Sequence, residues 1–305
     1  MLTYLSASSS QTTLEVIDTL RSDSWIRSER PTSDEKASLV KIGIDEDILH
    51  DALDPHEVPR VELSDGWTYF ITRLPDTDDD FNDYTTPILF ALGKNYLVTV
   101  SRDSLGRLWQ PFIDTTKVDM KDQTGLFMLM VDEIAKLYQR RVATINRQMR
   151  AATSDVVKLS SKDIVTLTEY ERKLNDFLDA LIPTNTAIEK LLGGKLLKLL
   201  DDDKELVEDL SIDFEQLIAR CKSLLRTITN VRDSYRAVMD TRLNETIQLL
   251  TVMTVALTIP TMLAGLFGMN VPLPDANSPY IFWEIIVVSA VCALAISVYF
   301  MRSRR

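Results

Sequence analysis

Cysteine is scarce in this 305-residue chain. Only Cys221 and Cys292 occur, which gives neither a disulfide framework nor a metal-ligand spacing. Histidine is as rare, and neither His50 nor His56 has neighbours that would make it a catalytic base or a zinc ligand. No phosphate-loop pattern surrounds Gly193-Gly194, and no nucleophile–base spacing is present, so an enzyme is the least favoured reading. The N-terminus, MLTYLSASSS, lacks the basic segment and apolar run of a signal peptide, which leads us to expect the polar part in the cytoplasm. Basic charge is also in deficit: the net charge is −11. That excludes a nucleic-acid binder, whose phosphate partner demands a basic face. The acidic run from Asp76 to Asp83 does not make a calcium loop, because Phe81 and Pro87 stand where an EF-hand needs Gly and Glu.

Glycine and proline vanish between Gly194 and Pro260. With no breaker in that stretch, a helix from about Ser211 to Phe267 is expected, roughly 85 Å long at 1.5 Å per residue. Its last part, Thr251 to Asn270, is apolar and uncharged. Twenty residues from Ile247 to Leu266 cover about 30 Å, the thickness of a bilayer core. A second apolar run, Ile281 to Met301, carries one charge, Glu284. The pair reads as a membrane hairpin joined by a proline-rich loop. Arginines lead into the first span and follow the second, whereas the loop has no Lys or Arg. The positive-inside rule then puts both termini in the cytoplasm.

Polar residues of the first span fall in register. Asn244, Ile247, Thr251, Thr254, Thr258 and Thr261 are spaced 3, 4, 3, 4, 3, and the same register runs back through Asp240 to Asp233. A 3.5-residue period is the seam of a left-handed bundle. Several copies around an axis would aim this stripe at a lumen, with Leu250 and Ile247 as an apolar constriction. The alternative is that each hydroxyl bonds back to its own helix carbonyls. Pro260 within the span is expected to bend it slightly.

The remainder reads as mixed α/β followed by helices. Thr32 and Glu35 form a capping-box pattern, and Asp45 caps a second helix. Trp67–Leu74, Thr86–Leu92 and Tyr96–Val100 are strand-like, with a hairpin at Gly93-Lys94-Asn95. A helix from about Gly125 towards Leu159 and another from Ser161 to Leu200, interrupted or bent at Pro183, follow. The expected layout is an α/β cytoplasmic domain at 1–117, a cytoplasmic helical region at 118–210 and a stalk helix at 211–245. Transmembrane helices at 246–268 and 281–301 flank an extracellular loop at 269–280, and a basic tail occupies 302–305.

The tripeptide Gly268-Met269-Asn270 at the end of the first span, after Pro260-Thr-Met-Leu-Ala-Gly265-Leu-Phe and before a second span and basic tail, resembles the CorA family of magnesium and cobalt transport proteins. The chain departs from the family in Phe267, in Val271 and in a loop with a single acid, Asp275. The resemblance implies a homopentamer in the cell membrane that passes Mg²⁺ inward, with intracellular Mg²⁺ closing the pore. It implies a selectivity filter at Gly268, Met269 and Asn270, where neutral Asn side chains accept hydrogen bonds from a hydrated ion. The family's pore-lining positions match Asn244, Leu250, Thr258, Thr261 and Asn270, and its acidic stalk position matches Asp233. Asp209 and Asp213 lie where a regulatory metal site is expected. Mg²⁺ is the only cofactor expected, with no organic group. Partners are other copies of the chain, lipid and divalent cations. Two rivals stand: a zinc or other transition-metal transporter of the same architecture, and a membrane-tethered helical scaffold without permeation. The hydroxyl-rich stripe, free of His and Cys, favours a hard cation.

Overall fold

The computed structural model describes residues 1–7, 12–77, 83–197, 199, 201–269 and 280–302. It divides into two units, Met1–Val231 and Arg232–Arg305. The first is built on a seven-stranded sheet in the order β3 (Glu15–Ile17), β1 (Leu2–Ser6), β4 (Ser24–Glu29), β8 (Tyr96–Ser101), β7 (Asp83–Leu92), β6 (Trp67–Thr77), β5 (Arg60–Ser64). Among the described strands only β4 and β8 pair in parallel; the other pairings are antiparallel. A separate short ladder joins β2 (Thr12–Thr13) to β9 (Lys117–Val118).

Strand alternation sorts the core into two layers. Trp25, Phe70, Leu74, Ile88, Phe90 and Leu97 face one side and join the buried residues of the long helices. Ile26, Tyr69, Ile71, Leu89, Ala91, Val98 and Val100 face the other, where α1 (Ser33–Lys41) and α2 (Glu46–Asp51) cover them. Burial on both faces explains why these strands read as nearly continuous apolar runs. The capping box of Thr32 and Glu35 and the Asp45 cap are both present. The hairpin at 93–95 joins β7 and β8 as expected. His50 and His56 lie exposed at the surface.

The helical layer begins with α3 (Gly106–Thr115) and continues with α4 (Gln123–Ala152), which ends at Thr153, six residues short of Leu159. A short 3₁₀ turn, Val156–Lys158, fills the gap before α5 (Ser161–Leu192), whose N-terminus carries a second capping box, Ser160 with Asp163. Of the two outcomes expected at Pro183, interruption or a bend, the interruption does not occur: α5 continues through it. An internal proline costs about 3 kcal/mol. The buried face made by Leu174, Phe177, Leu181, Ile188 and Leu191 offsets that cost, since each buried side chain contributes about 1.5–3 kcal/mol. The helix stops at Gly193 rather than Leu200, and Gly194 takes the left-handed φ of +67° that ends it.

Helix α6 runs from Asp201 to Phe267, beginning ten residues before the expected Ser211. Val207, Leu210, Phe214, Leu217, Cys221, Leu224 and Ile228 are buried at a 3–4 spacing, so this part of α6 belongs to the core of the first unit. A buried polar seam runs beside it. The Ser211 hydroxyl donates to the Asn185 side-chain carbonyl at 3.2 Å, and the hydroxyls of Thr184 and Thr72 meet at 2.8 Å. Arg73 ties the neighbouring loop down: its guanidinium donates to the carbonyls of Pro55, Glu57 and Thr85. The second unit holds the rest of α6 and α7 (Ile281–Arg302).

Candidate functional site: the hydroxyl stripe of α6

Among the described residues one helix, α6, contains a stretch long and apolar enough to cross a membrane, and none of that stretch is buried. A shorter apolar stretch, Phe282–Ile296, lies in α7. From Gln248 to Leu263 on α6 the half-buried residues are Gln248, Val252, Ala256, Ile259, Pro260 and Leu263, which share one face. Thr251, Thr254, Thr258 and Thr261 are all exposed. At 100° per residue the centre of the threonine stripe lies about 150° from the centre of the half-buried face. The stripe therefore looks almost directly away from the covered side of its own helix.

Each threonine hydroxyl bonds back one turn. Thr251 donates to the Ile247 carbonyl at 2.8 Å, Thr254 to Leu250 at 2.8 Å, Thr258 to Thr254 at 2.7 Å and Thr261 to Leu257 at 2.8 Å. The back-bonding alternative is thus what the helix adopts. It does not remove the stripe's polarity. A hydroxyl has one proton and two lone pairs, so each oxygen keeps acceptor capacity. A surface of acceptors whose protons are already engaged suits a ligand that only donates, which is what the water shell of a cation does.

Asp233, Asp240, Asn244, Ile247 and Leu250 are all exposed on α6, and Asp233 pairs with Arg236 at 3.5 Å. At the far end the Gly268 N–H donates to the Ala264 carbonyl at 3.0 Å, and Met269 to Leu266 at 3.3 Å. A Cβ on Gly268 would come within 3.3 Å of the Ala264 oxygen, so this glycine serves close approach; the described glycines with positive φ are Gly43, Gly66 and Gly194. Asn270 and Asp275 lie outside the described residues. Sequence reasoning missed Gly265, which continues the register four residues after Thr261 and has open space where a Cβ would stand. The same period, extended one step, finds it. Asp209 is exposed and Asp213 half-buried, both in the first unit. Among the described residues no group of three or more His, Cys, Asp or Glu side chains is placed to hold a metal ion.

A mixed α/β unit, a 67-residue helix ending in an exposed apolar stretch and a further apolar helix define a class of membrane-associated long-helix proteins. The CorA-like Mg²⁺ transporter protein family model matches residues 22–304, and the chain belongs to that family. It is similar to the cobalt/magnesium transport protein CorA of Methanocaldococcus jannaschii, with 26% identity over 288 residues, covering 92% of this chain and 90% of that one. The complete structure of the CorA magnesium transporter from the same organism superposes with a TM-score of 0.87 at 23% identity, covering 99% of this chain and 98% of that one. The structure of the full-length CmaX protein follows at 0.75 and 17% identity, covering 100% and 97%.

Proposed function

We propose that the chain is a divalent-cation transporter of channel type, carrying Mg²⁺, and Co²⁺ or Ni²⁺ beside it, inward across the cell membrane. The observation that carries this reading is the acceptor stripe of α6, turned away from the covered face of its helix, in a chain of the CorA-like family. In this reading α6 and α7 form a two-span hairpin with both termini cytoplasmic, and five copies surround an axis. A ring of Asn270 selects the hydrated ion with Gly268 and Met269 behind it. Thr261, Thr258, Thr254 and Thr251 pass it on, Leu250 and Ile247 form the constriction, and Asn244, Asp240 and Asp233 receive it. Mg²⁺ sheds water reluctantly, so acceptors for its shell suit it better than ligands that must replace that shell. The electrical driving force suffices: two charges falling through 100 mV gain about 4.6 kcal/mol. Asp209 and Asp213 contribute to a regulatory Mg²⁺ site completed by another copy.

Purified protein in liposomes with an internal Mg²⁺ dye tests the reading. Entry should follow an imposed inside-negative potential and be lost in Asn270→Ala. Flux that survives the substitution removes the asparagine ring while leaving transport in place. Absence of flux for Mg²⁺, Co²⁺, Ni²⁺ and Zn²⁺ in folded, oligomeric protein overturns transport in favour of a membrane-tethered scaffold, and flux confined to Zn²⁺ overturns the magnesium assignment.

A further inference from the structure

The first unit contains a cavity of about 810 Å³ that the transport reading does not use. Four arginines line it: Arg30, Arg107, Arg140 and Arg141. In a chain whose acids outnumber its bases 45 to 34, this is a local reversal of charge. Arg140 and Arg141 are already engaged on the wall, with Glu133 at 2.9 Å and the Thr77 hydroxyl at 2.7 Å respectively. Among the described residues no hydrogen bond or ion pair is made by the guanidinium of Arg30 or of Arg107, both of which are exposed. Two acids of the lining accept hydrogen bonds from the wall. Asp103 accepts the Thr86 hydroxyl at 2.7 Å, and Asp76 accepts the Thr77 N–H at 2.8 Å and the Tyr84 hydroxyl at 3.4 Å. These donors are neutral, so both carboxylates stay charged and keep lone pairs free, and the lining sets four arginines against the three acids Asp76, Asp103 and Glu133.

Topology places this charge at the end of the sheet's parallel pair. Arg30 directly follows β4, and the segment 102–105 directly follows β8; these are the carboxyl ends of the only parallel pair among the described strands. In open, mostly parallel sheets the crevices outside the carboxyl ends of the strands are general ligand sites, and this largely antiparallel sheet shares that feature at this one pair. Arg30 sits at a left-handed φ of 48°, held by its N–H to the Ser101 carbonyl at 3.0 Å. A non-glycine residue in that region is strained. Helix α3 opens into the cavity at Gly106 and Arg107, and no side chain caps it, so its N-terminal dipole adds to the positive field.

We propose that this cavity binds an organic phosphate of the nucleotide class. Arg30, Arg107 and the α3 N-terminus take the phosphates, and Asp76 and Asp103 accept from sugar hydroxyls. Leu74, Leu105 and Leu137 offer the apolar wall that a lone inorganic ion would not use. The volume is that of a small-molecule site, not of a single anion. Such a ligand gives the protein a second chemical input beside the cation.

The test is equilibrium binding of ADP to the full-length protein in detergent, with EDTA present so that ADP does not act by withdrawing Mg²⁺. Arg30→Asn, which tolerates the left-handed backbone, combined with Arg107→Gln removes the two free guanidiniums without touching a bond of the fold. Saturable ADP binding weakened at least about tenfold in the double variant, with the unliganded melting temperature unchanged, supports the site. Absence of ADP binding, binding that the double variant leaves unchanged, or inorganic phosphate competing with the affinity of ADP overturns it.

Discussion

The Thr258 hydroxyl donates to the Thr254 carbonyl oxygen at 2.7 Å, so its one proton is held within the helix. What the side chain offers outward is acceptor only. That relationship recurs at Thr251, Thr254 and Thr261, and it reconciles two readings that seem opposed, back-bonding and pore lining. Thr258→Val keeps the shape of the side chain and removes the acceptor. We expect Mg²⁺ influx into liposomes to fall about fivefold or more, from about 1 kcal/mol per lost hydrogen bond. Thr258→Ser should retain most of the flux. Equal influx through the valine variant and the parent would show that this hydroxyl does not face the ion.

A second prediction concerns the seam between α5 and α6. Ser211 and Asn185 are both buried, and they meet at 3.2 Å. Ser211→Ala leaves the Asn185 carbonyl without that donor, which costs about 1–3 kcal/mol. Thermal unfolding of the full-length protein should occur a few degrees lower. The double variant with Asn185→Leu should recover part of the loss, because removing both partners removes the unmet acceptor. Strict additivity of the two single changes would mean the pair is not coupled.

Local signals were the legible ones. Thr32 with Glu35 and Asp45 with its helix are contiguous patterns, and each is present. The hairpin at 93–95 and the breaker-free run of α6 are equally local. The parallel pairing of β4 with β8 joins residues more than seventy positions apart, and no short pattern announces it. Gly194, not the leucines up to Leu200, sets the end of α5, because a left-handed backbone outweighs continued apolar periodicity. On the site, periodicity alone marked the threonine stripe. The direction of its hydroxyls needed coordinates, and so did the arginine cavity. Arg30, Arg107 and Arg140 come from separate elements and share no spacing.

Cys221 provides a reporter of how tightly α6 is held in the first unit. It is fully buried, and burial pushes its thiol up to about 12, with Arg220 opposing weakly. Only the thiolate reacts with electrophiles. In a Cys292→Ser background, labelling by iodoacetamide near pH 8 should be slow and limited by opening of the α6 contact. It should become fast in urea. Ser211→Ala, by loosening the same contact, should speed labelling under native conditions. Rapid labelling of the parent without denaturant would contradict the packed position of this thiol.

The last prediction follows from Glu35, which holds the start of the sheet to α1. One carboxylate oxygen accepts the Thr32 N–H at 2.9 Å and the other the Leu2 N–H at 2.8 Å, with the terminal amine 3.3 Å away. The backbone bond from Thr32 is the largest influence holding its carboxyl below the usual range. Desolvation opposes it, and the Leu2 bond and the terminal amine assist. A group depressed in the folded state stabilises above its unfolded pKa, about 4.3 for Glu, and loses that contribution as pH falls through the folded value. Glu35→Gln should therefore be less stable than the parent near neutral pH. The difference should shrink progressively below about pH 4, as the parent's own carboxylate becomes protonated. Urea unfolding of both proteins across that range measures it, and a gap that stays constant down to pH 3 would assign the loss to geometry instead of charge.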